Sequence, residues 1–325
     1  MYNVMPFSFL SVSMSVTDIL GCVGGALILL YASLWIPILG PLLMLLSPLL
    51  FLSYATKLGL QRGLVLAALS VMAVAVISSL TGHRQAVVFC IEFSFLGIVL
   101  SELFKRKFAL GFTITAALVA MMVFGMIMLF GLGAARGLGP TEMITTLIRE
   151  QLQPTVQLYE DMSAPVENEG GMEGYAEIFL QTLIRIYPAL MVIGMGLVIW
   201  FNVMLAGPLF KKLGLTYPGF QPVDQWHAPE KLIWGLIVAG FGSLLTSGTI
   251  QIVAINCLLV LAVVYFFQGL SIAIFYFNKY NLSIIIRIIF YFLIILQQFF
   301  MLLLAILGVF DQWLDFRRIH KNRTG

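Results

Sequence analysis

Apolar runs of about 18 to 25 residues recur along the chain from Asp18 to Asp311, and no other feature narrows the possible folds so far. At 1.5 Å per residue, each run in helical form crosses the roughly 30 Å hydrocarbon core of a bilayer. Composition agrees: 61% of the 325 residues are apolar or aromatic and 10% are charged, against roughly a quarter charged in soluble domains. The expectation is an all-α fold, a polytopic bundle of transmembrane helices forming one integral membrane domain over residues 1–325.

Nine apolar segments are legible, at about 18–38, 39–56, 62–81, 85–103, 109–132, 176–207, 231–247, 250–278 and 283–310. Pro37, Pro41 and Pro48 bracket the turn between the first two, so the second is expected to be short or broken and the pair to form a tight hairpin. The first seventeen residues hold no Lys or Arg; the basic region of a cleavable signal peptide is missing, and the first helix is expected to stay as an anchor. Cys22, Cys90 and Cys257 all fall in apolar segments and read as packing residues. The net charge of +3 and the lack of a large basic cluster argue against nucleic acid as a partner.

The one long hydrophilic stretch, at about 133–174, carries Glu142, Glu150, Glu160, Asp161, Glu167, Glu169 and Glu173 against Arg136 and Arg149. Its first half, "GPTEMITTLIREQL", spaces Met143, Ile144 and Leu147 for a short amphipathic helix; its second half reads as a flexible loop. Lys and Arg in the short loops set orientation. Lys57, Arg62, Lys105, Arg106, Lys107, Lys211, Lys212 and Lys231 fall on the cytoplasmic side, with the acidic stretch outside. If segment 231–247 dips in and returns, the basic tail is cytoplasmic as well, giving eight crossings and the better charge balance.

Sites for chemistry are scarce. No Gly-Lys-Ser/Thr, HExxH or Gly-x-Ser-x-Gly occurs, and "GLGAARGLG" reads as a flexible helix exit. No catalytic group, metal or cofactor is therefore expected. Intramembrane polar residues carry more information, because an ionised side chain at the centre of a span costs about 3 kcal/mol. Glu92 sits two turns into its helix and shares a face with Gln85; it either locks two helices or serves as a ligand or proton site. Arg185 precedes Tyr187-Pro188, a kink that would free backbone carbonyls, and either snorkels or contributes to a site. Arg287, Tyr291 and Gln298 fall within about 40° of one another on a continuous helix and would face the bundle. Glu92 is expected to pair with Arg185 or Arg287. Asn256 and Gln268 do not share a stripe, so each should make its own interhelical hydrogen bond. Gly21-x-x-x-Gly25 and Gly235-x-x-x-Ala239 permit close helix approach, read as internal packing or, more sharply, as contact with a membrane-protein partner.

The last apolar run closes on "GVFDQWLDFRR". Continued as a helix, it puts Asp311, Asp315 and Arg318 along one side and Phe310, Trp313, Leu314 and Arg317 along the other. The aromatic side suits the headgroup layer, with Arg317 reaching anionic lipid. The acidic side is either solvated or docked on the "KLGLQRG" or "FKRK" loops through Lys57, Arg62 or Lys105.

This closing motif, the proline-bounded hairpin running into "KLGLQRG", the "QWHAPEKLIW" entry to the seventh segment and "NCLLVLAVVYFFQGLSIAIFYF" together resemble the YybS-like family of bacterial multipass membrane proteins. The resemblance implies a bacterial inner-membrane location. More distantly, the chain is similar to the substrate-binding membrane subunits of energy-coupling-factor vitamin transporters and to the rod-shape protein MreD, but extra helices and the acidic loop set it apart from a transporter subunit. Two functions follow as expectations: a small-molecule binding or transport component without its own ATPase, lined by Glu92, Arg185, Arg287, Tyr291 and Gln298, or a non-catalytic scaffold in envelope assembly. A lipid-modifying enzyme is the least supported, for want of clustered loop carboxylates or histidines.

Overall fold

The computed structural model describes residues 14–36, 39–139, 142–150 and 171–317. The regular elements among them are helices: α1 (Val16–Trp35), α2 (Leu39–Met44), α3 (Ser47–Leu58), α4 (Leu60–Thr81), α5 (Gln85–Lys105), α6 (Leu110–Arg136), α7 (residues 142–150), α8 (Gly171–Leu213), α9 (Leu232–Leu245), α10 (Gly248–Lys279), α11 (Ile284–Leu296) and α12 (Gln298–Leu314). Six stretches are long and apolar enough to cross a membrane: Leu39–Leu58 through the α2–α3 turn, α4, α5, α6, Gln181–Leu213 within α8, and α10. The bent pair α11 and α12 makes a seventh if it is counted as one span. The protein is a polytopic all-α membrane protein. Of the nine expected segments, the seventh falls short of this length, since the fourteen residues of α9 extend about 21 Å.

Packing divides the chain into two compact units, one holding the described residues up to Gly125 with Gly196–Gly219, the other those of Met126–Met195 and Phe220–Gly325. The boundary runs through α6 and α8 because these helices, 27 and 43 residues long, extend about 40 and 65 Å and lend each end to a different core.

In the first unit a capping box starts α1: the Ser15 hydroxyl accepts from Asp18 N, and the Asp18 carboxylate accepts from Ser15 N. Lys57 at the end of α3 then donates to Asp18 at 2.6 Å. Lys57 and Ser15 hold this carboxyl, in the first turn of α1, down at about 2. Gly21 and Gly25 face α3, where an added Cβ would meet Tyr54 and Leu50, so this small-residue spacing serves internal packing. Cys22 and Cys90 lie in the same core with Leu66, Val74 and Phe93. The expected break in the second segment falls at Leu45 and Leu46, with Pro48 opening α3. Its freed Leu45 carbonyl receives the amide of Asn202 from α8 at 2.9 Å.

In the second unit α6 ends in a Schellman motif, with Leu138 N donating to Gly133 O, Gly137 N to Ala134 O, and Gly137 at φ 68°; this is the exit that "GLGAARGLG" encodes. The amphipathic helix expected after it is present as α7, with Met143 and Ile148 buried. Glu160, Asp161, Glu167 and Glu169, in the expected flexible loop, lie outside the described residues. α9 turns back into α10, and Gly242 lies against Ala254 of α10. α10 and α12 then meet backbone to backbone: a Cβ on Gly269 would lie 1.9 Å from Leu304 O, and one on Gly308 2.0 Å from Tyr265 O.

The last segment is not one helix. α11 and α12 diverge by 105° at Gln297, whose backbone is extended. The break falls at the polar pair Gln297-Gln298, with no proline or glycine there to force it. The glycine crossing ties α12 to α10, whereas α11 buries Ile294 alone among its thirteen residues, so no comparable packing holds α11 in line.

Candidate functional site: a buried ion pair at the end of α12

The main concentration of buried polar groups gathers where α10, the connection at 222–229 and the end of α12 meet. α12 stops at Leu314 because Asp315 adopts a left-handed conformation, φ 39° and ψ 60°, which Asp tolerates better than most residues. That turn reverses the chain and carries Arg317 back inside, where its guanidinium lies 2.8 Å from the Asp311 carboxylate. Their side chains are 2% and 5% exposed. The expected placement, with Arg317 on the lipid-facing side, is therefore overturned, because it assumed that the helix continues. Arg318 lies outside the described residues.

Each charge makes further hydrogen bonds. Asp311 accepts from Gln268 Nε2 at 3.0 Å and from Phe316 N at 3.0 Å. Arg317 Nη1 lies within 2.9 Å of Asp224 O, Trp226 O and the Ser271 hydroxyl. Gln268 Oε1 accepts from Ala228 N and from Gln312 Nε2, and the Tyr276 hydroxyl donates to Phe316 O. A charged pair thus joins three chain segments, in a setting where removing one partner strands the other. Three buried atoms of this region, Arg317 Nε, Asp224 Oδ1 and Tyr265 Oη, have no hydrogen-bond partner among the described residues.

The network reaches one of the residues expected in a ligand site. Arg287 donates to Asn278 Oδ1 at 2.9 Å, and Asn278 Nδ2 donates to Asp224 at 2.8 Å. Arg287 also donates to Phe277 O and Leu282 O, so it caps the carbonyl end of α10, as Arg near a helix terminus can. The rest of the expected stripe is not formed: Tyr291 is exposed at the surface of α11 and packs edge-on to Phe277, and Gln298 is exposed on α12. The 105° bend removes the shared face on which the stripe rested.

Arg185 has an exposed side chain, but its carbonyl matters. Pro188 has no N–H to give to α8, and beside it Asn256 of α10 inserts its amide, donating to Arg185 O at 2.8 Å and accepting from Ala189 N at 2.8 Å. The expectation that Asn256 and Gln268 each make their own interhelical hydrogen bond therefore holds. Glu92 is half-buried in α5 and makes no ion pair among the described residues. It belongs to the first unit, and Arg185 and Arg287 belong to the second.

Trp313 is exposed as expected of an interfacial anchor, with Phe310 edge-on to it. Asp311 takes its basic partner from its own segment instead of from the "KLGLQRG" or "FKRK" loops; Lys57 pairs with Asp18, and Lys105 with Glu102. Sequence reading missed Asn202, Ser271 and Asp224. Asn202 carries the signal that singled out Asn256, an amide inside an apolar run. Asp224 and Ser271 act through geometry that no spacing reveals.

The model of the family described as "Predicted membrane protein (DUF2232)" matches residues 26–312. The chain belongs to this family. The match includes Gln268, Ser271 and Asp311 and ends before Arg317. The chain is also 23% identical over 305 residues to the "Uncharacterized protein YybS" of Bacillus subtilis (strain 168), covering 90% of this chain and 96% of that one. No solved structure matches it. Three of the four stretches that carried the family resemblance converge on the buried network: Trp226 and Ala228 lie in "QWHAPEKLIW", Gln268 and Ser271 in the long α10 motif, and Asp311, Gln312 and Arg317 in the closing one.

Proposed function

We propose that this protein is a non-enzymatic scaffold of a bacterial inner membrane, a fixed helix framework on which other components of envelope assembly are held. One observation carries the reading: the buried charges Asp311 and Arg317 bond to each other and to backbone and side-chain groups of the same chain. Such a network fixes geometry. The residues expected to line a ligand site point the same way, since Arg287 caps a helix and Arg185, Tyr291 and Gln298 are exposed or partly exposed. In this reading the acidic stretch at 133–174 is extracytoplasmic, and the loops bearing Lys57, Lys105 and Lys211 face the cytoplasm.

A second reading, a small-molecule binding or transport component without its own ATPase, is favoured by Glu92, a half-buried carboxyl on a spanning helix with no ion pair among the described residues; ionisable groups in that position mark ion and substrate paths. The test is complementation of a strain lacking the gene, read as cell shape and envelope integrity alongside protein abundance. The scaffold reading expects Glu92→Gln, Arg185→Gln and Gln298→Ala to complement fully. Loss of function by any of them at wild-type abundance overturns it in favour of the second reading.

A further inference from the structure

At one end of the first unit, the termini of α3, α5 and α8 border a half-open cleft of about 360 Å³, within the size range of small-molecule sites, about 300–1,000 Å³. Lys57, Lys105 and Lys107 line it together with Thr216 and Gly214, and no carboxylate does. Phe104, which lines it, packs edge-on to Phe210 and to Tyr217, and burial pushes the Tyr217 hydroxyl, which donates to Val203 O, up to about 12. Lys211 and Lys212 close the last turn of α8, and Arg106 caps α5.

Part of this positive charge is already spoken for. Lys57 pairs with Asp18 and Lys105 with Glu102, and the carboxyl ends of three helices bring partial negative charge of their own. Lys107 is different. It makes no ion pair among the described residues, is exposed, and sits just past α5 at φ 53°, in the left-handed region where a side chain carries a steric cost that glycine does not. The corresponding position past α8, in the same cleft, is Gly214 at φ 66°. One helix end in this cleft therefore takes the residue that its backbone favours, and the other takes a lysine against that preference. A side chain held in a disfavoured conformation beside a basic cleft points to a use for its charge.

We propose that this cleft binds a phosphate group through Lys107, with Lys57 and Lys105 beside it: either the headgroup phosphate of an anionic phospholipid or that of a soluble phosphate compound. Lysine suits this as a compact point charge able to donate three hydrogen bonds. The site is separate from the Asp311–Arg317 network and does not depend on the scaffold reading.

The experiment uses the full chain in phosphate-free maltoside micelles and follows its thermal midpoint at constant ionic strength. One arm replaces chloride with inorganic phosphate; the other adds phosphatidylglycerol, with phosphatidylcholine as the control. A rise in the phosphate arm identifies a soluble phosphate compound, and a rise with phosphatidylglycerol but with neither phosphate nor phosphatidylcholine identifies the lipid headgroup. Lys107→Gly relieves the left-handed strain, so its midpoint without ligand should equal or exceed that of wild type, while its apparent affinity for the effective anion should fall about tenfold or more, as loss of a charged hydrogen bond implies. Lys105→Gln should weaken the response in the same direction. No rise in either arm, or a Lys107→Gly response equal to wild type, overturns the proposal.

Discussion

Asp311→Asn tests the reading of the buried network most directly. The substitution keeps shape and volume, removes the negative charge, and turns one carboxylate oxygen into an NH2 donor. Each of the three groups that approach Asp311 is itself a donor: Arg317 Nη2 at 2.8 Å, Gln268 Nε2 at 3.0 Å and Phe316 N at 3.0 Å. At least one must then face another donor, and the Arg317 guanidinium, 2% exposed, loses its counter-charge. Stranding one member of a buried pair costs about 3–5 kcal/mol. Arg317→Gln should cost a similar amount by stranding the carboxylate. The double variant buries no charge, so its loss should fall short of the sum of the single losses by about 1 kcal/mol or more. Asp315→Asn, which retains a residue at home in the left-handed conformation, should lose far less. Unfolding in mixed maltoside and dodecyl sulfate micelles, followed by tryptophan fluorescence together with abundance in membranes, measures each. A loss below about 0.5 kcal/mol for Asp311→Asn, the range of an ordinary surface change, or strict additivity in the double variant, would show that the pair is not a structural lock.

Gly269→Ala and Gly308→Ala each drive a methyl group into facing backbone at 1.9 and 2.0 Å and should reach or exceed the upper end of the usual overpacking cost of about 1–3 kcal/mol, whereas Gly240→Ala, with nothing within 4 Å, should be neutral or slightly stabilising; thermal midpoints in detergent decide. Asn256→Leu leaves Arg185 O and Ala189 N without their bridge and should cost about 1–3 kcal/mol, and adding Pro188→Ala should recover part of it by letting the helix close its own bond, as measured in the same unfolding assay. Because the Asp18 carboxyl sits below its ordinary value, at about 2, its contribution is present above about pH 4 and lost as pH falls from there towards 2, and Asp18→Asn should flatten that part of the stability profile. A reporter fused after Gly325 should read cytoplasmic and one inserted near Glu169 external; the opposite result at either site refutes the orientation taken from the loop charges.

The helices were legible where one physical signal dominates. Long apolar runs gave α4, α5 and α6 to within a few residues, and the prolines located the break before α3, because span length and proline geometry act locally. The bend at Gln297 was not legible: what separates α12 from α11 in packing is the crossing of Gly269 on Gly308, a contact between residues remote in sequence. Arg317 was misread for a related reason. Helical periodicity assigns a face only while the helix lasts, and a single left-handed residue, Asp315, sends every later side chain elsewhere. Asp311 and Gln268 were each noticed as polar residues in apolar surroundings, but nothing in their spacing announced that they meet.

The intramembrane polar residues share a use that bears on function. An unpaired carbonyl in hydrocarbon costs several kcal/mol, and each interruption of a helix here creates some. Asn202 answers Leu45 O at the α2–α3 break. Asn256 answers Arg185 O at Pro188. Arg287 answers Phe277 O and Leu282 O where α10 ends, and Arg317 answers Asp224 O and Trp226 O beside α10. All four side chains donate to carbonyls, as the breaks require. Glu92 donates to no carbonyl among the described residues, so the logic that accounts for the other polar residues leaves it out. Helix repair thus accounts for Asn202, Asn256 and Arg287 without any ligand, and Glu92 remains the residue on which the scaffold and transport readings part.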